Sequence, residues 1–266
     1  MATSEMVFIG LVPITPHLNY EISVLDENRH LLRLEEAGQQ DALSILSGYE
    51  NATVALCLPP QLNNGMVNKS SQKHTGRGRP SQKRQNKRLC EYVLSRHGVK
   101  IPSTPAVLED CPSWMKEGFS FYQQLKEIGF SDFSVPCQPR MVFETQPEGI
   151  FRSILCKPLL PLKSLEGRLQ RLLILYDHGV RIADPMTFFE EVTRHRIIQG
   201  TLPVQTLMSI VEIESLAAAY MAWLMADQPH KTIRIGNEEE GILVLPIWNE
   251  LDKTDLPEPR QMDIFS

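Results

Sequence analysis

Residues 6–12 (Met6-Val7-Phe8-Ile9-Gly10-Leu11-Val12) form a nearly continuous apolar run, the pattern of a strand covered on both faces. Residues 19–25 alternate between apolar and polar, as a half-buried strand does. Asp26, Glu27 and Asn28 make a turn, and residues 30–34 resume as strand, so the start of the chain predicts an antiparallel meander of three strands. Residues 40–47 predict a helix, and residues 52–58 a second buried-type strand stopped by Pro59 and Pro60. Helical spacing returns over residues 83–97, with Leu89, Tyr92, Val93 and Leu94 near one face and Gly98 as terminator. It recurs over 114–128 with Phe119, Tyr122, Leu125 and Ile128. Residues 141–144 are a short strand, and the last third is mostly helical. Residues 165–177 form one helix, Asp184-Pro185 opens a second that Gly200 closes, and residues 210–226 form a third. This third helix is apolar almost all round from Leu216 to Met225, which predicts deep burial. Residues 232–235 and 242–245 pair as a hairpin, and no internal repeat is present.

Length adds one point. At 266 residues the chain suits a single domain over 1–250, with 251–266 as a flexible polar tail. The charges add another. There are 27 Lys and Arg against 32 Asp and Glu, a net charge of −5. Eight of the basic residues fall between 69 and 88, and no acidic residue occurs between Glu50 and Glu91. The rest of the chain keeps 19 basic against 32 acidic residues. A basic segment, its loop predicted at 61–83, therefore sits on an acidic body. No apolar run approaches the ~18 residues that span a bilayer, so no membrane partner is expected. The five cysteines are scattered, with no C-x-x-C pair, which argues against a disulfide framework and points to a reducing cytoplasm.

Three strands, a helix, a fourth strand, then alternating helices and strands is the order of the ribonuclease H-like α/β fold. That fold is a mixed five-stranded sheet with helices on both faces, here with a helical C-terminal portion and a terminal hairpin. Several segments carry a more specific likeness: Ser164-Leu165-Glu166-Gly167-Arg168-Leu169-Gln170-Arg171, Asp184-Pro185-Met186, Ala218-Ala219-Tyr220-Met221-Ala222-Trp223 and Glu240-Gly241-Ile242-Leu243. With Phe8-Ile9-Gly10-Leu11 and Glu91-Tyr92, they resemble the predicted ribonuclease H-like nucleases called domain of unknown function 429, over about residues 6–247.

The resemblance implies phosphodiester cleavage by two divalent metals, Mg²⁺ or Mn²⁺, held by carboxylates about 4 Å apart. The chain departs from that pattern. Where the family places Asp on the first strand stands Val12, and at the end of the fourth strand stands Cys57. Val binds no metal, and a thiolate is a soft ligand for Mg²⁺. Glu144 and Glu214 remain as catalytic and metal-ligand candidates, with Glu21 or Glu91 as further carboxylates if the ligands have moved. Their plain readings are a solvated strand end for Glu144 and helix-end electrostatics for Glu214. Candidate phosphate contacts are Lys73, Arg77, Arg79, Lys83, Arg84, Lys87, Arg88, Arg168 and Arg171. Structural ion pairs and a solvated loop are the alternatives. Three readings follow: a degenerate, weakly active or inactive nuclease-family protein that binds DNA, RNA or a protein partner; an active two-metal nuclease with relocated carboxylates; or an interaction protein with no nucleic-acid role.

Overall fold

β1 (Val7–Ile14) and β4 (Ala52–Leu56) lie side by side in parallel, and β4 is buried at all five positions. Their unbroken apolar sequence has this cause, because helices cover both faces of the sheet there. The computed structural model describes residues 5–15, 19–67, 87–132, 138–202, 204, 207–249 and 251. From β1 the sheet extends in two directions. On one side β2 (Asn19–Leu25) and β3 (Leu31–Ala37) complete the antiparallel meander. On the other side β4 pairs in parallel with β6 (Arg140–Glu144), and β6 meets β8 (Gly241–Pro246) at Glu144 and Leu243. β7 (Thr232–Asn237) closes the order β3-β2-β1-β4-β6-β8-β7, and the two-residue β5 (Ser131–Asp132) pairs with β6.

The fold is thus mixed α/β, with an eight-stranded sheet where five strands are expected. The five strands appear in the predicted order. The three extra strands are the two of the C-terminal hairpin, which joins the sheet through β8 instead of standing apart, and the two-residue β5, which the sequence does not predict.

Each face carries its own core. α1 (Gln39–Ser47) and α3 (Ser113–Glu127) cover one face, where Ala42, Leu46, Phe121 and Leu125 pack on Ile9, Leu11, Ile22, Val54 and Leu56. α2 (Leu89–Arg96), α4 (Pro147–Leu155), α5 (Leu165–Asp177) and α7 (Ile210–Asp227) bring their apolar sides to the other, around Phe8, Leu25, Ala55 and Phe143. α7 lies directly on β1. A Cβ at Gly10 would stand 2.0 Å from the Ser215 carbonyl oxygen and 2.3 Å from the Ala219 nitrogen. Only glycine admits this approach, and Ala217, Ala218 and Ala219 keep the helix side equally thin. The Ser23 and Ser215 hydroxyls, 2.6 Å apart, tie β2 to the same helix.

α6 (Thr187–Ile198) is the exception to this packing. It buries Phe188 and leaves most of its surface in solvent. Asp184 shapes the approach to it by accepting from the Met186 amide. α4 is not among the elements predicted from the sequence. Pro147 occupies the first turn, where its missing N–H costs nothing, and the Gln146 side chain accepts from Gly149 N. Among the described residues no helix is long and apolar enough to cross a membrane.

Candidate functional site

Three of the four positions expected to carry metal ligands, Val12, Cys57 and Glu144, lie toward the C-terminal ends of β1, β4 and β6, and the fourth, Glu214, lies on α7. Val12 is buried and stands directly across from Glu21 on β2, so both side chains share one face. Cys57 follows β4 and extends its ladder by donating its amide to the Leu11 carbonyl at 2.9 Å. Burial, and then the Glu214 and Glu144 carboxylates, push the Cys57 thiol well above its ordinary range. It is a protonated thiol rather than a thiolate ligand.

Glu144 and Glu214 do not form a pair. Ala55 and Phe143 are register partners in the core beneath α7, so Leu56 and Glu144, one residue on, point to the opposite face. Glu214 stands on α7 itself. The charges acting on the two differ accordingly: Arg88 and Glu91 on Glu144, Arg171 and Glu148 on Glu214.

What surrounds Glu144 is a buried polar network centred on Arg88. Arg88 is 1% exposed and precedes α2. Its Nη1 donates to Glu144 Oε2 at 2.7 Å and its Nη2 to Glu144 Oε1 at 2.5 Å, a two-pronged ion pair. Nε donates to Glu91 Oε1 at 2.8 Å, and Nη1 also reaches the Glu240 carbonyl at 3.0 Å. Glu91 in turn accepts from the Arg88 and Thr104 amides and from the Thr104 hydroxyl. Burial pushes the Glu144 carboxyl up from its ordinary value, and the Arg88 charge and hydrogen bonds oppose that shift.

Glu240, fully buried, completes the network. Its Oε1 accepts from the Asn64 and Met66 amides at 2.9 and 2.8 Å, and its Oε2 from the Leu89 amide at 2.8 Å. One carboxylate therefore anchors both ends of the basic segment to the turn between β7 and β8. It also caps the positive end of α2. A cavity of about 60 Å³ opens beside Arg88, Glu91 and Glu144, lined also by Cys57, Trp114 and Gln146. That is room for about two water molecules.

A two-metal centre does not fit this donor set. Val12 offers no donor, Cys57 holds its proton, and both oxygens of Glu144 accept from Arg88. Among the described residues no group of three or more His, Cys, Asp and Glu is arranged to hold a metal ion. The guanidinium supplies the positive charge that a cation would bring to Glu144.

On the α7 face two carboxyls share a different property. Burial raises Glu21 to about 7, helped by Glu212, Glu36 and Glu35. Burial also raises Glu214 to about 7, with Arg171 opposing and Glu148 adding to the shift. Each therefore changes charge near neutral pH.

The basic candidates divide. Lys73, Arg77, Arg79, Lys83 and Arg84 lie outside the described residues, and Lys87 is half-buried. Arg88 belongs to the interior, so its expected phosphate contact is corrected: its donors face Glu144, Glu91 and Glu240. Arg171 is corrected likewise. It is 3% exposed and donates to the Leu160 and Gly167 carbonyls. Arg168 braces the Leu207 and Met208 carbonyls just before α7. Of the network, Thr104 and Glu240 escape sequence reasoning, because a lone Thr and a Glu in an acidic turn look solvated. Arg88 is counted with the basic run although one signal sets it apart: Glu91, three residues on at the helix start, ends the acid-free stretch.

Compared with protein-family models, with curated proteins and with solved structures, the chain finds no match in any of the three.

Proposed function

We propose that this chain is a ribonuclease H-like protein of the nuclease type whose metal site has been replaced by an internal ion pair, and which binds nucleic acid without cutting it. The observation that carries the reading is the occupation of both Glu144 oxygens by Arg88. Glu144 sits at the C-terminal end of its strand, where the resemblance expects metal chemistry, and its charge is already compensated. The strand order, an antiparallel meander continued by two parallel strands, supports the fold assignment.

The nucleic-acid part rests on placement. The stretch between Met66 and Arg88 leaves and rejoins the body beside this network, with both roots held by Glu240. With Arg88 internal, seven basic residues remain from Lys69 to Lys87 with no acidic one among them. Such a segment attracts a phosphate backbone without reading bases. The free thiols of Cys57, Cys90, Cys111 and Cys156 suit the reducing cytoplasm proposed for the protein.

The test uses single-stranded DNA, RNA and hybrid duplexes with Mg²⁺ or Mn²⁺, followed by binding titrations at several salt concentrations. No cleavage above a protein-free blank is expected. Binding is expected to weaken with salt, with a log–log slope of about −3 to −5, and to be lost on deleting residues 69–84. Metal-dependent cleavage that disappears in Glu214→Ala would overturn the non-hydrolytic reading. Binding that survives the deletion, or no binding at all, would overturn the nucleic-acid reading.

A further inference from the structure

α6 does not close completely on the body. Between it, α5 and the residues just before α7 lies a cavity of about 200 Å³. An engineered apolar cavity of about 150 Å³ already holds a benzene ring. The floor here is apolar too: Leu172 of α5 and Phe188 of α6 are each 4% exposed, and Pro185 is buried with them. Leu207 and Met208, half-buried, form one wall. Arg168 fixes that wall by donating to both carbonyls.

The mouth has a different chemistry. Asp184, Thr187 and Glu191 all line the cavity. They are three and four residues apart, so they follow one side of the start of α6. Thr187 is exposed and the two carboxylates are half-buried. Asp184 Oδ1 accepts from the Met186 amide, which leaves Oδ2 free. Glu191 has no hydrogen bond and no ion pair among the described residues. The helix dipole accounts for Asp184 but not for Glu191, which lies beyond the first turn. No Lys, Arg or His is among the lining residues. Arg168 and Arg171 of α5 turn to backbone carbonyls, and Arg194, His195 and Arg196 of α6 stand outside the cavity. Two uncompensated negative charges therefore stand over an apolar hollow.

From this arrangement we infer that the cavity binds a small organic cation with an apolar tail, the tail on Leu172 and Phe188 and the ammonium beside Asp184 and Glu191. The order of depth selects this class. A lysine offered by another protein would enter ammonium first and bring its charge onto the apolar floor, where nothing replaces its water. A free alkylamine enters tail first and keeps its charge at the mouth. An anionic amphiphile would meet like charge there. None of these residues belongs to the Arg88 network, so the inference does not depend on the nucleic-acid reading.

A titration of the full chain with n-hexylamine at neutral pH, followed by NMR of the Leu and Met methyl groups, tests it. Shifts at Leu172, Leu207 and Met208 are expected, with a dissociation constant of about 0.1–1 mM. n-Hexanol, which has the tail without the charge, should bind about tenfold more weakly. Hexanoate, and methylamine with the charge but no tail, should leave these methyls unmoved. The double variant Asp184→Asn/Glu191→Gln should weaken n-hexylamine about tenfold and leave n-hexanol unchanged, which a damaged fold would not do. Equal affinity of the parent for amine and alcohol overturns the inference, as does amine binding that moves no cavity methyl or ignores the double variant. A lysine-containing peptide that binds more tightly than n-hexylamine overturns the order of entry and with it the ligand class.

Discussion

Replacing Arg88 by Met puts the central claim about the site to a quantitative test. The guanidinium supplies the two hydrogen bonds that hold the Glu144 carboxylate, one to Glu91 and one to the Glu240 carbonyl. Glu91 keeps three partners without it, namely the amides of residues 88 and 104 and the Thr104 hydroxyl. Glu144 is 4% exposed and loses both of its bonds. The loss is therefore concentrated on one buried, uncompensated charge, which costs about 3–5 kcal/mol. For a chain of this size that lowers the melting temperature by about 10 °C.

The pH dependence follows from the same carboxyl. Burial already raises it, and Arg88 is what lowers it, so the variant raises it further. A carboxyl whose folded pKa lies above its unfolded value loses its proton first in the unfolded chain. Parent and variant share the unfolded value, so the variant's deficit should be smallest at acid pH, where Glu144 keeps its proton in both folded proteins, and should grow as the pH rises past the parent's folded value, which lies above the ordinary one. Urea titrations between pH 4.5 and 8 measure both the size and the slope. The double variant Arg88→Met/Glu144→Leu, which removes both charges, should recover most of the loss. A single-variant cost under about 1 kcal/mol, a deficit independent of pH, or a double variant no better than the single would each refute the account of Arg88 as the charge partner of Glu144.

Two further changes probe the surroundings of the site. Gly10→Ala should cost about 3 kcal/mol or more, or prevent folding, because its Cβ would overlap the α7 backbone at Ser215 and Ala219; a melting curve unchanged from the parent would contradict the close approach. Glu214→Gln should stabilise the protein at pH 8 by about 1 kcal/mol and leave it unchanged at pH 4.5, because the native carboxyl, raised to about 7, charges only at a cost once the unfolded chain has lost its proton. The figure is reduced from the full shift because the group is only half-buried. Thermal melts at the two pH values decide, and a gain at pH 4.5 equal to that at pH 8 would reject the assignment.

The hydrophobic pattern by itself determined the order of the main elements, α4 and β5 excepted, and which would be central. Strands apolar on both sides must be covered on both faces, and β1 and β4 are. A helix apolar all round must be buried, and α7 is, with twelve buried residues. Local chemistry also ruled out Val12 as a metal ligand, because a Val side chain binds no metal in any fold. What the sequence could not determine depends on distances between segments far apart in the chain. The register of β4 on β6 sends Glu144 to one face of the sheet while Glu214 stands on the other. Periodicity within each segment carries no record of that relation. The fate of Arg88 was hidden for a similar reason: in sequence it closes a basic run, whereas its partners Glu144 and Glu240 lie 56 and 152 residues away. A charge can be buried only where the fold brings enough partners to replace water, and those partners are assembled by the tertiary structure alone.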